Sequence, residues 1–447
     1  MDEQNLNEQE LENPVLEETP EIPVPDMPEI PAPEVPSPGE IDETKPIVPK
    51  PERRKSKQQL FKETYLPFVI LGVSVLLCIS FIFGSVGLAR ERAELKAREE
   101  RIAELMKNEA ETLKSRAAAM AAEYDYENAM KTLANYSGGL AGNQELLNLY
   151  NGYKEALNDL VVWDDLSKIP HLSFRTLVTD LEKASADPDR GSRYKKNYIT
   201  TDEFSRILNQ LYENGYVLVS LYDFAVPVTA EDGSVGVNRT SIRLPEGKKP
   251  ILLTQEGVNY YSHTEACGGF ADALTVSGGE LTCTMGETEG AFDLVPILNA
   301  FLVEHPDFSY EGARATIAVS GYDGLFGMSL DKADEIKAVA DKLRQQGYDI
   351  ACYTYDDMLY GEYGASGIQA DLDKWTADIL PLLGATDILV YPTGGDIKGQ
   401  DAYSGSKYDT LHAYGFRYFV GTGSGERWGM TTAEYARQTR TLVTGAN

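Results

Sequence analysis

The stretch ITTDEFSRILNQLYENGYVLVSLYDF, residues 199–224, decides how the chain is read. Apolar residues recur at helical spacing through Thr201–Asn214, and an unbroken apolar run, YVLVSL (216–221), follows at once. A helix that delivers the chain directly into a short apolar strand is the unit of a parallel sheet. The same alternation continues outward. HLSF (171–174), PILLT (250–254), ATIAV (315–319), DIACYT (349–354), DILVYP (387–392) and RYFVG (417–421) read as further strands. Thr201–Asn214, Asp293–Glu304, Leu330–Gln346, Lys374–Leu383 and Ser406–Tyr414 read as the helices between them. Such a β-then-α order predicts a parallel sheet, open or closed, with its functional residues at the C-terminal strand ends.

Upstream the composition changes twice. Residues 1–44 carry 14 acidic groups and no basic one, and 12 of the 22 prolines fall within Pro14–Pro51. Proline removes backbone donors and like charges repel, so residues 1–50 are expected to be a disordered acidic arm. Residues 51–63 form a basic juxtamembrane segment, and Thr64–Leu88 is a 25-residue uncharged run dense in Val, Ile, Leu and Phe. A helix needs about 20 such residues to cross a bilayer, so 64–88 is expected to span one. Basic residues flank both ends of the run, with a slight bias that puts the N-terminus inside. The expected location is therefore the cell membrane, single-pass, with the N-terminus cytoplasmic and the C-terminal domain extracellular. Residues 89–165, rich in Ala, Glu, Lys and Leu, are expected to form a helical stalk and a helical hairpin.

The formal net charge is −29, and residues 89–447 hold −20 of it, which argues against a nucleic-acid partner. Four cysteines without a CxxC pair exclude a zinc ribbon. A Cys267–Cys283 bridge is conceivable, with buried free thiols favoured for Cys267, Cys283 and Cys352. Only four histidines are present, and each is expected at the surface or capping a helix: His171, His263, His305 and His412.

The order of IPHLSFRTLV, YITTDEFSRILNQLYENGYVLVSLYDF, KKPILLTQEGV, KLRQQGYDIACYTYDD and DILVYPTGG resembles the polysaccharide-deacetylase (NodB-type) homology family. The resemblance covers 169–445. It implies a distorted (β/α) barrel of the polysaccharide-deacetylase type, here preceded by a single transmembrane helix and an α-helical stalk and hairpin. It also implies removal of acetyl groups from cell-wall or surface polysaccharide. In that family an Asp and two His hold a divalent metal, and a second Asp serves as base on the metal-bound water. Here Thr254-Gln255-Glu256-Gly257 puts Glu256 at the base position and Gly257 at the metal-Asp position. Tyr353 and Asp357 stand where the two His belong, and Val390 stands where an Arg orients the base.

The expectation that follows is a preserved scaffold without its metal, hence no cofactor and no metal-dependent deacetylation. Glu256 is the candidate catalytic residue by position. Tyr353, Asp357, Tyr391, Pro392 and Trp428 are candidates for substrate binding, since aromatic rings stack on the C–H faces of sugars. Tyr260, Tyr261 and Tyr355 belong to the same group of aromatics after strands. The role implied is glycan binding or envelope scaffolding. The alternative is an active carbohydrate esterase with a relocated metal site. A cytoplasmic partner for the Pro-rich arm is a further possibility.

Overall fold

The computed structural model of the protein describes residue 62 and residues 65–231, 233–422 and 427–446. The acidic arm 1–50 and all of the basic segment 51–63 except Lys62 lie outside the described residues.

Seven parallel strands close into a barrel in simple chain order. They are β1 (His171–Arg175), β2 (Lys249–Glu256), β3 (Thr316–Val319), β4 (Asp349–Cys352), β5 (Ile388–Val390), β6 (Tyr418–Thr422) and β7 (Ala436–Leu442). β2 is the hinge of the closure. It pairs with β1 on one side, Phe174 opposite Gln255, and with β3 on the other, Ala318 opposite Glu256. β7 meets β1 only through Thr441 and Leu442, and Gly429–Thr431 fills the remaining edge of β7 as an antiparallel piece. Tyr216–Leu218 extends the lower end of β2 instead of entering the barrel. The alternation left the parallel sheet open or closed; it is closed, and the distorted (β/α) barrel that the resemblance implies is present, with its distortion at the β7–β1 seam.

Alternation along each strand sorts the residues into two layers. Leu252, Ala318, Ala351, Ile388, Val390, Val420 and Ala436 pack in the interior. Ile251, Leu253, Ile317, Val319, Ile350, Cys352, Leu389 and Phe419 pack outward against the helices. Those helices include Thr201–Glu213, Leu294–Glu304, Ala333–Gln345, Ala365–Lys374 and Ser406–Ala413. The three interior alanines are small, which leaves volume for the long polar side chains that enter from β2, β4 and β7.

Ahead of the barrel, one helix runs Leu66–Ala122, and its first part is long and apolar enough to cross a membrane. Tyr126–Ala134 and Gln144–Asn158 follow as a hairpin, capped by Asp125 and Asn143 side chains. Ala117, Ala129, Leu133 and Leu146 form their shared core with the preceding helix. The turn between helix Leu66–Ala122 and the hairpin meets the barrel domain through Tyr124, whose hydroxyl donates to Asp307 O at 2.8 Å, and through a Glu123–Arg314 ion pair.

The cysteines are all free thiols: Cys283 and Cys352 are buried, whereas Cys267 is only half-buried. One histidine also departs from expectation. His171 is not at the surface but inside the barrel, 2% exposed. Its Nδ1 lies 3.0 Å from Gln438 Oε1 and its Nε2 2.7 Å from Thr254 Oγ1. Gln438 Nε2 donates to Leu166 O and Ile169 O, so its Oε1 is the acceptor and His171 carries its proton on Nδ1.

Candidate functional site at the barrel mouth

Above the His171 layer the interior is filled by a charged triad. Glu256, the last residue of β2, receives Arg440 Nε on Oε1 at 2.6 Å and Tyr353 Oη on Oε2 at 2.9 Å. Arg440 comes from β7 and is fully buried. Its remaining nitrogens donate to Val420 O at 2.9 Å and Tyr391 O at 2.8 Å. Burial by itself raises a carboxyl group, but the Arg440 charge and the hydrogen bonds it receives outweigh that and hold Glu256 below the usual carboxylate range. Tyr353 is pushed far up by burial and by the Glu256 charge, so it stays a neutral donor.

Around this centre the backbone is strained. Of the eight non-glycine residues with positive φ among those described, six lie in the loops after β2 to β5: Tyr260, Asp323, Phe326, Thr354, Asp357 and Thr393. Such conformations cost about 1–3 kcal/mol each and persist where the surroundings fix them. Two buried polar residues do that fixing. Asn259 accepts from Ser320 N at 3.0 Å and donates to Ser320 O at 2.8 Å, which ties the β2 loop to the β3 loop. Asp371, on helix Ala365–Lys374, accepts from the backbone N–H of Tyr355 at 2.8 Å and of Asp356 at 3.0 Å and from Tyr360 Oη at 2.6 Å, which anchors the β4 loop.

The residues singled out by sequence fall into two groups. Glu256 and Tyr353 touch directly, and Asp357 lies beyond them, bonded through its Oδ2 to Tyr261 Oη at 3.2 Å. Burial pushes the Asp357 carboxyl up to about 6, against hydrogen bonds from Ser320 and Tyr261. The other three are elsewhere. Tyr391 is fully buried on the outer side of the barrel, its hydroxyl 2.9 Å from that of Tyr403, and only its carbonyl reaches the triad. Pro392 is buried beside it at the start of a tight turn. Trp428 stacks on the Arg437 guanidinium, 4.8 Å from the ring, on the outward face of β7. These three present no ring to a ligand at the mouth. Tyr260 is likewise buried.

The rings that are accessible there are different ones. Tyr322 is 54% exposed and leans on Tyr261 at 6.0 Å, and His263 stacks on Tyr261 at 5.5 Å. The Asp323 carboxylate, exposed beside them, accepts from Ser262 N at 2.6 Å. Tyr322 follows the apolar strand ATIAV (315–319) just as Tyr260 and Tyr261 follow PILLT, so the same signal could have found it. Arg440, by contrast, lies within a polar strand that no motif marks.

A divalent metal does not fit the residues at the positions the resemblance implies. Gly257 has no donor atom and a φ of +63°, and a Cβ there would lie 3.1 Å from the Tyr261 ring and hydroxyl. Tyr353 spends its hydroxyl on Glu256, and Asp357 is a single carboxylate held by Tyr261. Arg440 already supplies the positive charge beside Glu256. Among the described residues no group of three or more His, Cys, Asp or Glu is arranged to hold a metal ion.

No protein-family model matches the sequence, and no curated protein is detectably similar to it. Solved structures are similar in fold at low similarity. The Streptococcus pyogenes deacetylase PplD, solved in complex with acetate, is 13% identical over 62% of this chain and 92% of its own, with a TM-score of 0.34. A de-N-acetylase from Aggregatibacter actinomycetemcomitans is 14% identical over 62% of this chain and 96% of its own, with a TM-score of 0.35.

Proposed function

We propose that this chain is a single-pass membrane protein whose extracellular barrel binds cell-wall or surface polysaccharide and performs no metal-dependent deacetylation. The observation that carries the reading is the Glu256–Arg440–Tyr353 triad, which satisfies the carboxylate at the base position from within the chain. With Arg440 on one oxygen, Tyr353 on the other and only 5% of its surface exposed, Glu256 is spent on internal partners and largely shielded from water. What the mouth retains is suited to binding: the accessible Tyr322, Tyr261 and His263 rings can stack on sugar faces, and Asp323 can accept from hydroxyls. The apolar start of helix Leu66–Ala122 supports the membrane anchor, with the acidic arm cytoplasmic and available to a partner there.

The test uses the full chain in detergent. It is expected to be retained on insoluble cell-wall glycan and to release no acetate from acetylated glycan with zinc, cobalt or manganese present. Acetate release above a Glu256→Gln control would refute the reading. Topology is tested separately in a Cys-less background. A cysteine replacing Lys107 should react with a membrane-impermeant reagent in intact cells, and one replacing Pro31 should not.

A further inference from the structure

Behind the triad, on the outer face of β2, sits a carboxyl group with no cation beside it. Asp293 is 1% exposed and precedes helix Leu294–Glu304. Its Oδ1 accepts from Leu177 N at 2.9 Å and from Gln255 Nε2 at 2.7 Å. Gln255 is the residue immediately before Glu256.

Two atoms of this pair are sealed from solvent and accept no hydrogen bond of ordinary geometry: Asp293 Oδ2 and Gln255 Oε1. Both are acceptors when the carboxyl is ionised, and a buried acceptor without a partner is destabilising. The surroundings offer Asp293 neutral donors but no positive charge. Gln255 faces Asp293 from β2, Tyr260 from the loop after it, and Cys283 from the strand Glu280–Met285, with the backbone N–H groups of Leu177 and Leu294. None of these is a cation. The Tyr260 hydroxyl lies 3.6 Å from Cys283 Sγ, and burial raises both groups, so both stay neutral.

We propose that Asp293 is a neutral carboxylic acid in the folded protein, its proton on Oδ2 shared with Gln255 Oε1 in a cyclic acid–amide pair, and that it acts as a positioning residue for the mouth. One proton then satisfies both orphaned acceptors. The pair joins the segment after β1, through Leu177, to the end of β2 that carries Glu256 and to the strained turn through Tyr260. Loss of the proton leaves two acceptors in opposition and loosens that joint. Burial raises the carboxyl to about 6, which puts the change just below neutral pH. A rise from the ordinary 3.8 to about 6 corresponds to an unfolding equilibrium about a hundredfold more favourable above the transition than below it.

Infrared difference spectroscopy on the full chain, titrated from acid to alkaline pH, reads the proton directly. The wild type is expected to show a protonated-carboxyl C=O band that disappears with a midpoint near pH 6 and is missing from Asp293→Asn. In parallel, amide protection of Val258 through Tyr261 should fall across the same range in the wild type and stay level in the variant. Should Asp293→Asn not fold, Gln255→Leu serves instead, because removing the amide partner must shift the band. A band that survives Asp293→Asn unchanged, ignores Gln255→Leu, or never appears in the wild type overturns the proposal.

Discussion

Arg440 enters the barrel from β7 and spends all three of its nitrogens inside it, one on Glu256 and two on the carbonyls of Val420 and Tyr391. Removing one partner of such a buried pair leaves an uncompensated charge, which costs about 3–5 kcal/mol. Arg440→Met is therefore expected to destabilise by that amount in chemical denaturation, and adding Glu256→Gln should recover most of the loss. Tyr353→Phe removes one neutral donor and should cost less, about 1–2 kcal/mol. Gly257→Asp places a side chain at φ +63° against Tyr261, a strain of about 1–2 kcal/mol. That variant is expected to lower the melting temperature and to gain no zinc affinity in calorimetry.

The sequence singled out Glu256, Tyr353 and Asp357 because their motifs follow a recognisable order; Glu256 and Tyr353 are in contact, and Asp357 is bonded to Tyr261. It could not identify Arg440, because a cation in a polar strand looks the same whether it points to water or to a buried carboxylate. Tyr391 and Trp428 misled for a related reason. Both follow or border a strand, but alternation places Tyr391 and the Arg437 that Trp428 covers on the outward face.

Among the elements, β7 is the most instructive. Ala436–Leu442 reads ARQTRTL, with no apolar run, yet Arg437, Gln438 and Arg440 are each no more than 2% exposed. A barrel strand whose inward residues bind other polar groups lacks the hydrophobic signature that sequence reading depends on. The six other barrel strands were legible, because their apolar faces are buried on both sides. YVLVSL (216–221) was legible as a strand but not as one outside the barrel: it shortens to Tyr216–Leu218 and, of the barrel strands, pairs with the lower end of β2. The helix expected over Lys374–Leu383 begins earlier, at Ala365, and this matters to the mouth because it brings Asp371 beneath the β4 loop. Asp371→Ala is expected to destabilise by about 3 kcal/mol, since three donors lose a charged acceptor. Hydrogen exchange should locate the loosened region at Tyr355–Tyr360 and leave β1 and β2 protected.

Among the described residues, several acids lie where burial, not a cation, sets their protonation. Burial lifts Asp293, Asp349 and Asp357 to about 6 and Asp223 to about 8. Each binds its proton more tightly folded than unfolded. The stability it adds is complete below the ordinary carboxyl value of 3.8 and is lost as pH rises through the folded value. His171 acts in the opposite direction. Burial, reinforced by Arg440, lowers it from 6.5 to about 3, so its contribution is lost as pH falls through that range. Burial lowers His263 and His412 as well, but they are only partly buried, and with the acids raised more strongly the melting temperature of the full chain is expected to rise as pH is lowered from 8 to 5. A profile that falls over that range would show these carboxyl groups to be ionised in the fold.

At this scale the sequence also conveyed the order of parts, from apolar helix to hairpin to barrel, because composition changes sharply at each boundary. It did not convey which strand closes the barrel, and the central charge comes from that strand. The most direct measurement is calorimetric titration of zinc, cobalt and manganese into the metal-stripped full chain. The account predicts no saturable binding, in the wild type and in Asp357→Asn alike. Stoichiometric binding that Glu256→Gln or Asp357→Asn abolishes would contradict it.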